Sequence, residues 1–137
     1  MPIPKTPHLA VDCVLFDENH RVLLITRKNP PFQNHLALPG GFVDIGEKAE
    51  DACRRELMEE TGIVAQDLSL LGVYSDPTRD PRGHICSVVF VGSSPSADLR
   101  AGDDAADAAW TANWRETELA FDHGEILEDA EKFLFGM

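Results

Sequence analysis

GFVDIGEKAEDACRRELMEETGI, running from Gly41 to Ile63, is the stretch that decides how this sequence folds. Ala49 to Thr61 reads as a helix, and Gly62 stands where a left-handed C-terminal stop is expected. Asp44 with Glu47 three residues on has the form of a capping pair at the helix start. On a wheel of ~100° per residue, Ala49, Ala52, Cys53 and Leu57 make an apolar stripe. Glu50, Asp51, Arg54 and Met58 mostly face away from it. Glu56, Glu59 and Glu60 follow i, i+3, i+4 spacing and share one face. That face overlaps the apolar stripe instead of opposing it. Glu59 and Glu60 also fall in the last turn, where the helix dipole disfavours negative charge by ~0.3–1 kcal/mol each. Carboxylates crowded this way repel one another, and their pKa values are expected to rise. A divalent cation removes the conflict; hard oxygen ligands suit Mg²⁺, and Mn²⁺ can substitute. Arg55, four residues before Glu59 and within reach of Glu47, is placed to orient these carboxylates.

Outward from the helix, the chain reads mostly as strands. Leu9 to Phe16 is apolar and β-rich, broken only by Asp12. Asp17–His20 is a turn, and Arg21 to Lys28 is a second strand, expected as a hairpin partner of the first. Asn29-Pro30-Pro31 ends it. Leu36-Ala37-Leu38 leads into the Pro39-Gly40-Gly41 loop, and Phe42-Val43 resumes a strand. Strands are expected around Leu68–Tyr74, His84–Val91 and Ala108–Thr111, and a helix from about Asp122 to Phe135. The Asp76–Gly83 segment is a polar loop between strands. Together these elements predict an α/β (α+β) sandwich with a mixed sheet, as a single domain over residues 1–137.

A chain of 137 residues with 43% hydrophobic and 26% charged residues reads as soluble and globular. It has no apolar run of the ~20 residues a membrane helix needs and no signal-peptide pattern at its N-terminus. Cys13, Cys53 and Cys86 are far apart and in no metal-ligand spacing, so they are expected to be reduced in a cytoplasmic protein. The net charge of −12 argues against nucleic-acid or anionic-membrane binding through a basic patch. A phosphate substrate would need local help from cations, placed arginines or backbone amides.

Gly41, Glu47, Arg55, Glu56, Leu57, Glu59, Glu60, Gly62 and Ile63 together match the pattern Gly-x5-Glu-x7-Arg-Glu-U-x-Glu-Glu-x-Gly-U, U being aliphatic, without departure. Seven positions demand one residue type, and a chance match at a given start is about one in a hundred million. The sequence thus resembles the Nudix hydrolases. The resemblance implies the Nudix α/β/α sandwich and metal-dependent hydrolysis of a nucleoside diphosphate linked to another moiety. It implies Mg²⁺ held by Glu56, Glu59 and Glu60 with the carbonyl of Gly40. It also implies Arg55 and Glu47 as supporting residues of the catalytic centre, and Glu59 or Glu56 as general base. In this family the base also comes from a later loop, where Asp104 of the Asp103-Asp104 pair is the candidate.

Beyond the box, Tyr74–His84, Gly102–Ala105 before Trp110, and Leu119–His123 resemble the ADP-ribose pyrophosphatases of that family. Pro77 lies fifteen residues past Gly62, as in that subgroup. The implied substrate is ADP-ribose, cleaved to AMP and ribose 5-phosphate. Arg79 and Arg82, with Asp76, Pro77 and Arg27, are the candidate substrate-binding residues, because guanidinium matches phosphate bidentately. Phe32, Tyr74 and Trp110 are candidates to stack an adenine. His84 reads as structural or substrate-orienting, while His35 and His123 have no assigned role. Alternatives are a housecleaning enzyme for damaged nucleoside triphosphates or dinucleotides, and a non-catalytic ADP-ribose-sensing module. The second is disfavoured by the complete box and by the shortness of residues 112–137. A homodimer is expected by analogy.

Overall fold

The computed structural model describes residues 1–97, 99 and 105–136. Its elements are β1 (His8–Phe16), β2 (Val22–Arg27), β3 (Leu36–Ala37), β4 (Gly40–Phe42), α1 (Ala49–Thr61), β5 (Ser69–Tyr74), β6 (Ile85–Ser93), β7 (Ala105–Thr111) and α2 (His123–Phe135). A short 3₁₀ turn, Trp114–Glu116, precedes α2. The seven strands form one mixed sheet in the order β3-β2-β1-β6-β5, with β4 added to β1 and β7 to β2.

Alternation along the strands sorts the core into two layers. Val11, Cys13, Leu15, Leu23 and Phe90 pack with Ala52, Cys53 and Leu57 of α1. Val14, Phe16, Val22, Leu24, Val89 and Val91 face the other way, onto Ile126, Leu127 and Ala130 of α2. A helix thus covers each face of the sheet. Leu57, Ile126 and Leu127 are wholly buried, each contributing about 1.5–3 kcal/mol by area removed from water. Cys13 and Cys53 belong to this core and are free thiols. Among the described residues, no helix is long and apolar enough to cross a membrane.

The expected β1–β2 hairpin is only partly realised. The two strands meet at Phe16↔Val22 and then part. β1 pairs in parallel with β6 along its whole length, from His8↔Ile85 to Phe16↔Ser93, and on its other edge with β4. β2 instead pairs with β7 and β3. The physical reason is insertion: the 36–42 stretch enters between the two strands, β3 taking the edge of β2 and β4 that of β1, so their backbone groups are satisfied without the hairpin. This fork opens the cleft into which the turn Leu38–Gly40 descends. The seventh strand also begins earlier than expected, at Ala105.

The helix α1 has the predicted bounds. Gly62, at φ 79, is left-handed and its N–H donates to the Met58 carbonyl. The Asp44–Glu47 pair does not cap it, because the N-cap is Lys48, with no side-chain cap. Instead the Asp44 N–H donates to Glu47 Oε1 at 3.1 Å and the Glu47 N–H to the Asp44 carbonyl. The pair closes a separate turn that aims Glu47 at α1.

Candidate active site on the acidic face of α1

The overlap of the acidic face with the apolar stripe is realised: Glu60 is only 5% exposed, within the buried face of α1. The Gly40 N–H donates to its Oε1 at 2.9 Å, and the Glu56 carboxyl is its neighbour. Burial, followed by the charges of Glu56 and Asp12, pushes the Glu60 carboxyl up to about 9. Burial also raises Glu56, against the pull of Arg55. Glu59 lies apart, 55% exposed and 3.4 Å from Arg55. Of the three expected ligands, then, two converge and one stands at the rim.

Arg55 gathers the acidic groups. It donates to Glu47 through Nε at 2.8 Å and Nη2 at 3.0 Å. Its Nη1 donates to Glu56 at 2.8 Å and its Nη2 to the Phe42 carbonyl at 3.1 Å. These bonds raise its own pKa further and hold Glu47 below the usual carboxylate range.

Gly40 and Gly41 make room for the carboxyls. A Cβ on Gly41 would lie 2.7 Å from Glu56 Oε1, and one on Gly40 would lie 2.2 Å from the Val11 carbonyl oxygen. Among the described residues, no three His, Cys, Asp or Glu side chains converge closely enough to hold a metal ion. One buried carboxyl, Glu60, and one partly buried, Glu56, beside an open backbone turn are nonetheless a hard-oxygen donor pair, which suits a hard divalent cation.

The substrate candidates divide. Arg27 and Arg82 line the cleft beside Glu60, Gly40, Gly41 and Phe42. The two cations are close: burial, and then the Arg82 charge, lower Arg27's hold on its proton. Arg82 stacks on Phe42 at 5.3 Å and both arginines lie over Phe121, at 5.0 Å for Arg27 and 5.7 Å for Arg82. Asp80 tethers Arg82 at 2.8 Å; burial pushes Asp80 up, but the Arg82 bonds outweigh it and hold it below the ordinary range.

Arg79 also lines the cleft, but its side chain is only 5% exposed and it donates to both Asp122 oxygens, at 2.9 and 2.7 Å. Its charge is committed to anchoring the 76–84 loop on the start of α2. Asp76 accepts from the Thr78 N–H and hydroxyl, and neither Asp76 nor Pro77 lines the cleft. Asp103 and Asp104 lie outside the described residues. Of the aromatic candidates, Trp110 donates to the Ala97 carbonyl and Tyr74 to Asp129, both away from the carboxyls. Phe32 packs on Phe121. The aromatics that do line the cleft, Phe42 and Phe121, escaped the sequence reading. The available signal was position: Phe42 follows the box's first glycine, and Phe121 interrupts the Leu119–His123 segment.

An ADP-ribose pyrophosphatase of Methanocaldococcus jannaschii is 49% identical over 123 residues, 90% of this chain and 72% of that protein. The ADPR responsive transcriptional repressor NtrR of Acinetobacter baylyi is 32% identical over 91% of this chain, which spans only 53% of the repressor. Among solved structures, the NUDIX domain of Shewanella oneidensis NrtR complexed with ADP ribose superposes with TM-score 0.89 at 32% identity, covering 95% of this chain and 90% of that one. The family model described as the NUDIX domain matches residues 6–134, and with the carboxylate helix and the mixed sheet in place, the chain belongs to that family.

Proposed function

We propose that this chain is a Mg²⁺-dependent, cytoplasmic ADP-ribose pyrophosphatase that works as one domain over residues 1–137. The observation that carries the substrate is the shape of the cleft. The carboxyl centre is flanked by a lobe of about 290 Å³ lined by Arg27, Lys28 and Pro30. Across the Phe42–Arg82 ridge lies a second lobe of about 560 Å³, lined by Lys5, His8 and His84. ADP-ribose carries a ribose on each side of its diphosphate and needs room on both sides; a nucleoside triphosphate needs it on one. Cationic side chains at both lobes supply positive charge that the chain as a whole lacks.

Glu56, Glu60 and the Gly40 carbonyl would hold the cation, with Glu59 at the rim. When bound, it neutralises the diphosphate and acidifies a water molecule. Water adds to one phosphorus, the P–O–P bond breaks, and AMP and ribose 5-phosphate leave. Of Glu56, Glu59 and Glu60, Glu59 is the best exposed to take the water's proton, and Arg55 holds it in place. Arg27 and Arg82 grip the diphosphate or ribose oxygens.

The decisive measurement is kcat/KM with Mg²⁺ for ADP-ribose, nucleoside triphosphates, NADH and diadenosine polyphosphates. ADP-ribose is expected to lead, with no turnover in excess chelator. A tenfold lead by any competitor overturns the substrate, and full activity in chelator overturns the metal. ADP-ribose binding without AMP release would instead identify a sensor, the reading that the repressor relatives favour. Arg82→Ala is expected to raise KM for ADP-ribose about tenfold with kcat nearly unchanged, the signature of a contact made equally in ground and transition states. An unaltered KM removes Arg82 from substrate binding.

A further inference from the structure

Behind the carboxyl centre lies a buried polar cluster that the reaction as described does not use. Asp12, which interrupts the apolar run of β1, is buried. Its Oδ2 accepts from the Ser87 hydroxyl at 2.5 Å, and its Oδ1 lies 3.4 Å from His123 Nε2. His123, the first residue of α2, is also buried. Its Nδ1 accepts the Leu38 N–H at 3.0 Å. That bond fixes the ring: an Nδ1 that accepts leaves the proton on Nε2, facing Asp12.

These bonds converge on three residues, Leu38-Pro39-Gly40. His123 holds the Leu38 amide. The Cys13 N–H donates to the Pro39 carbonyl at 2.8 Å. Asp12 is the register partner of Gly40, and its carboxylate sits where a Gly40 Cβ would come within 2.7 Å. The Gly40 N–H then points at Glu60. The Leu119–His123 segment is moored to the same stretch, since the Ala120 N–H donates to the Leu36 carbonyl.

We infer that the buried Asp12–His123 pair is a positioning device for the cation site: it sets the Leu38–Gly40 turn and, through the Gly40 amide, the Glu60 carboxylate. The inference rests on the metal reading above but not on the identity of the nucleotide. Neither residue touches the reacting atoms. Their effect is on how well the donor set is held, as with outer partners of metal ligands, whose loss commonly weakens binding 10–100-fold.

Two isosteric replacements separate the two ends of the ring. In His123→Asn the side-chain oxygen can stand near the place of Nδ1 and keep the Leu38 N–H bond. In His123→Gln the polar atoms reach the place of Nε2, and the Leu38 bond is lost. Mn²⁺ affinity is read by electron paramagnetic resonance of the free ion, without nucleotide. His123→Asn is expected to bind within about threefold of wild type. His123→Gln is expected to bind about tenfold more weakly, with kcat reduced more than KM. A purely structural role would lower the melting temperature and leave Mn²⁺ affinity alone. Wild-type affinity in His123→Gln, or equal losses in both variants, overturns the inference. If His123→Gln does not fold, Asp12→Asn carries the test: it keeps the cluster's shape but slackens the grip on His123, and several-fold weaker Mn²⁺ binding is expected. Wild-type affinity there also overturns it. A wild-type chain that binds Mn²⁺ but does not cleave ADP-ribose sinks the substrate and leaves this inference standing; one that binds no Mn²⁺ sinks both.

Discussion

Glu60→Gln is expected to lower turnover at least about 100-fold while making the metal-free protein more stable. The loss of activity follows from losing a negative oxygen donor at the most buried point of the site. The gain in stability follows from the same burial, which pushes the carboxyl from its ordinary 4.5 up to about 9. Between those pH values the native state holds a proton that the unfolded chain has released. This group's contribution is therefore greatest below pH 4.5 and declines as pH rises toward 9. Gln has no proton to lose and its oxygen can still accept the Gly40 N–H. In chelator, the wild-type melting temperature should fall between pH 5 and 8 more steeply than that of Glu60→Gln. Saturating Mg²⁺ should raise the wild type and not the variant, because the cation binds only the native state. Wild-type turnover in Glu60→Gln, or identical pH slopes in chelator, would remove Glu60 from the proposed role.

The helix that bears this residue was legible because three signals coincide there: a 3.6-residue apolar period, a glycine stop and an acidic face on the wrong side. The strands were legible for the same reason, since their apolar alternation is local. Their partners were not. Nothing in Arg21–Lys28 distinguishes a long hairpin with β1 from a single contact at Phe16↔Val22 followed by divergence, because pairing is decided by which edges are open in three dimensions. The arginines show the same limit at the site. Arg79 and Arg82 look equivalent in the sequence, but Asp122, forty-three residues on, neutralises the first. Asp80, two residues away, leaves the second leaning over Phe42 and Phe121. Asp12 and His123 were visible only as an interruption and an unassigned imidazole, since their meaning lies in a turn that neither adjoins.

The paired glycines before the helix give the other large effect, and the two should fail in different ways. Neither is among the positive-φ residues, so the requirement is space rather than backbone conformation. At Gly41, an added methyl would meet the Glu56 Cδ and Oε1 at 2.7 Å and Oε2 at 2.9 Å. These atoms end a flexible side chain, so the fold can yield by moving the carboxylate. Gly41→Ala should therefore melt close to wild type while turnover falls about 100-fold, the scale of a misplaced catalytic group. At Gly40, the methyl would meet the Val11 carbonyl oxygen at 2.2 Å and the Asp12 Cα at 3.0 Å. Those atoms belong to the backbone of β1, which is locked to β6 on its far edge. Only separation of β4 from β1 relieves the clash, and overpacking of this kind costs about 3 kcal/mol or more. Gly40→Ala should lower the melting temperature by roughly 10 °C and take Mn²⁺ binding with it, because the amide that steadies Glu60 moves as well. Thermal melts and Mn²⁺ titrations on the two variants separate the cases. Equal melting temperatures for Gly40→Ala and wild type would show that β4 is not pressed against β1. Full turnover in Gly41→Ala would show that Glu56 works from some other position than the one it occupies beside the turn.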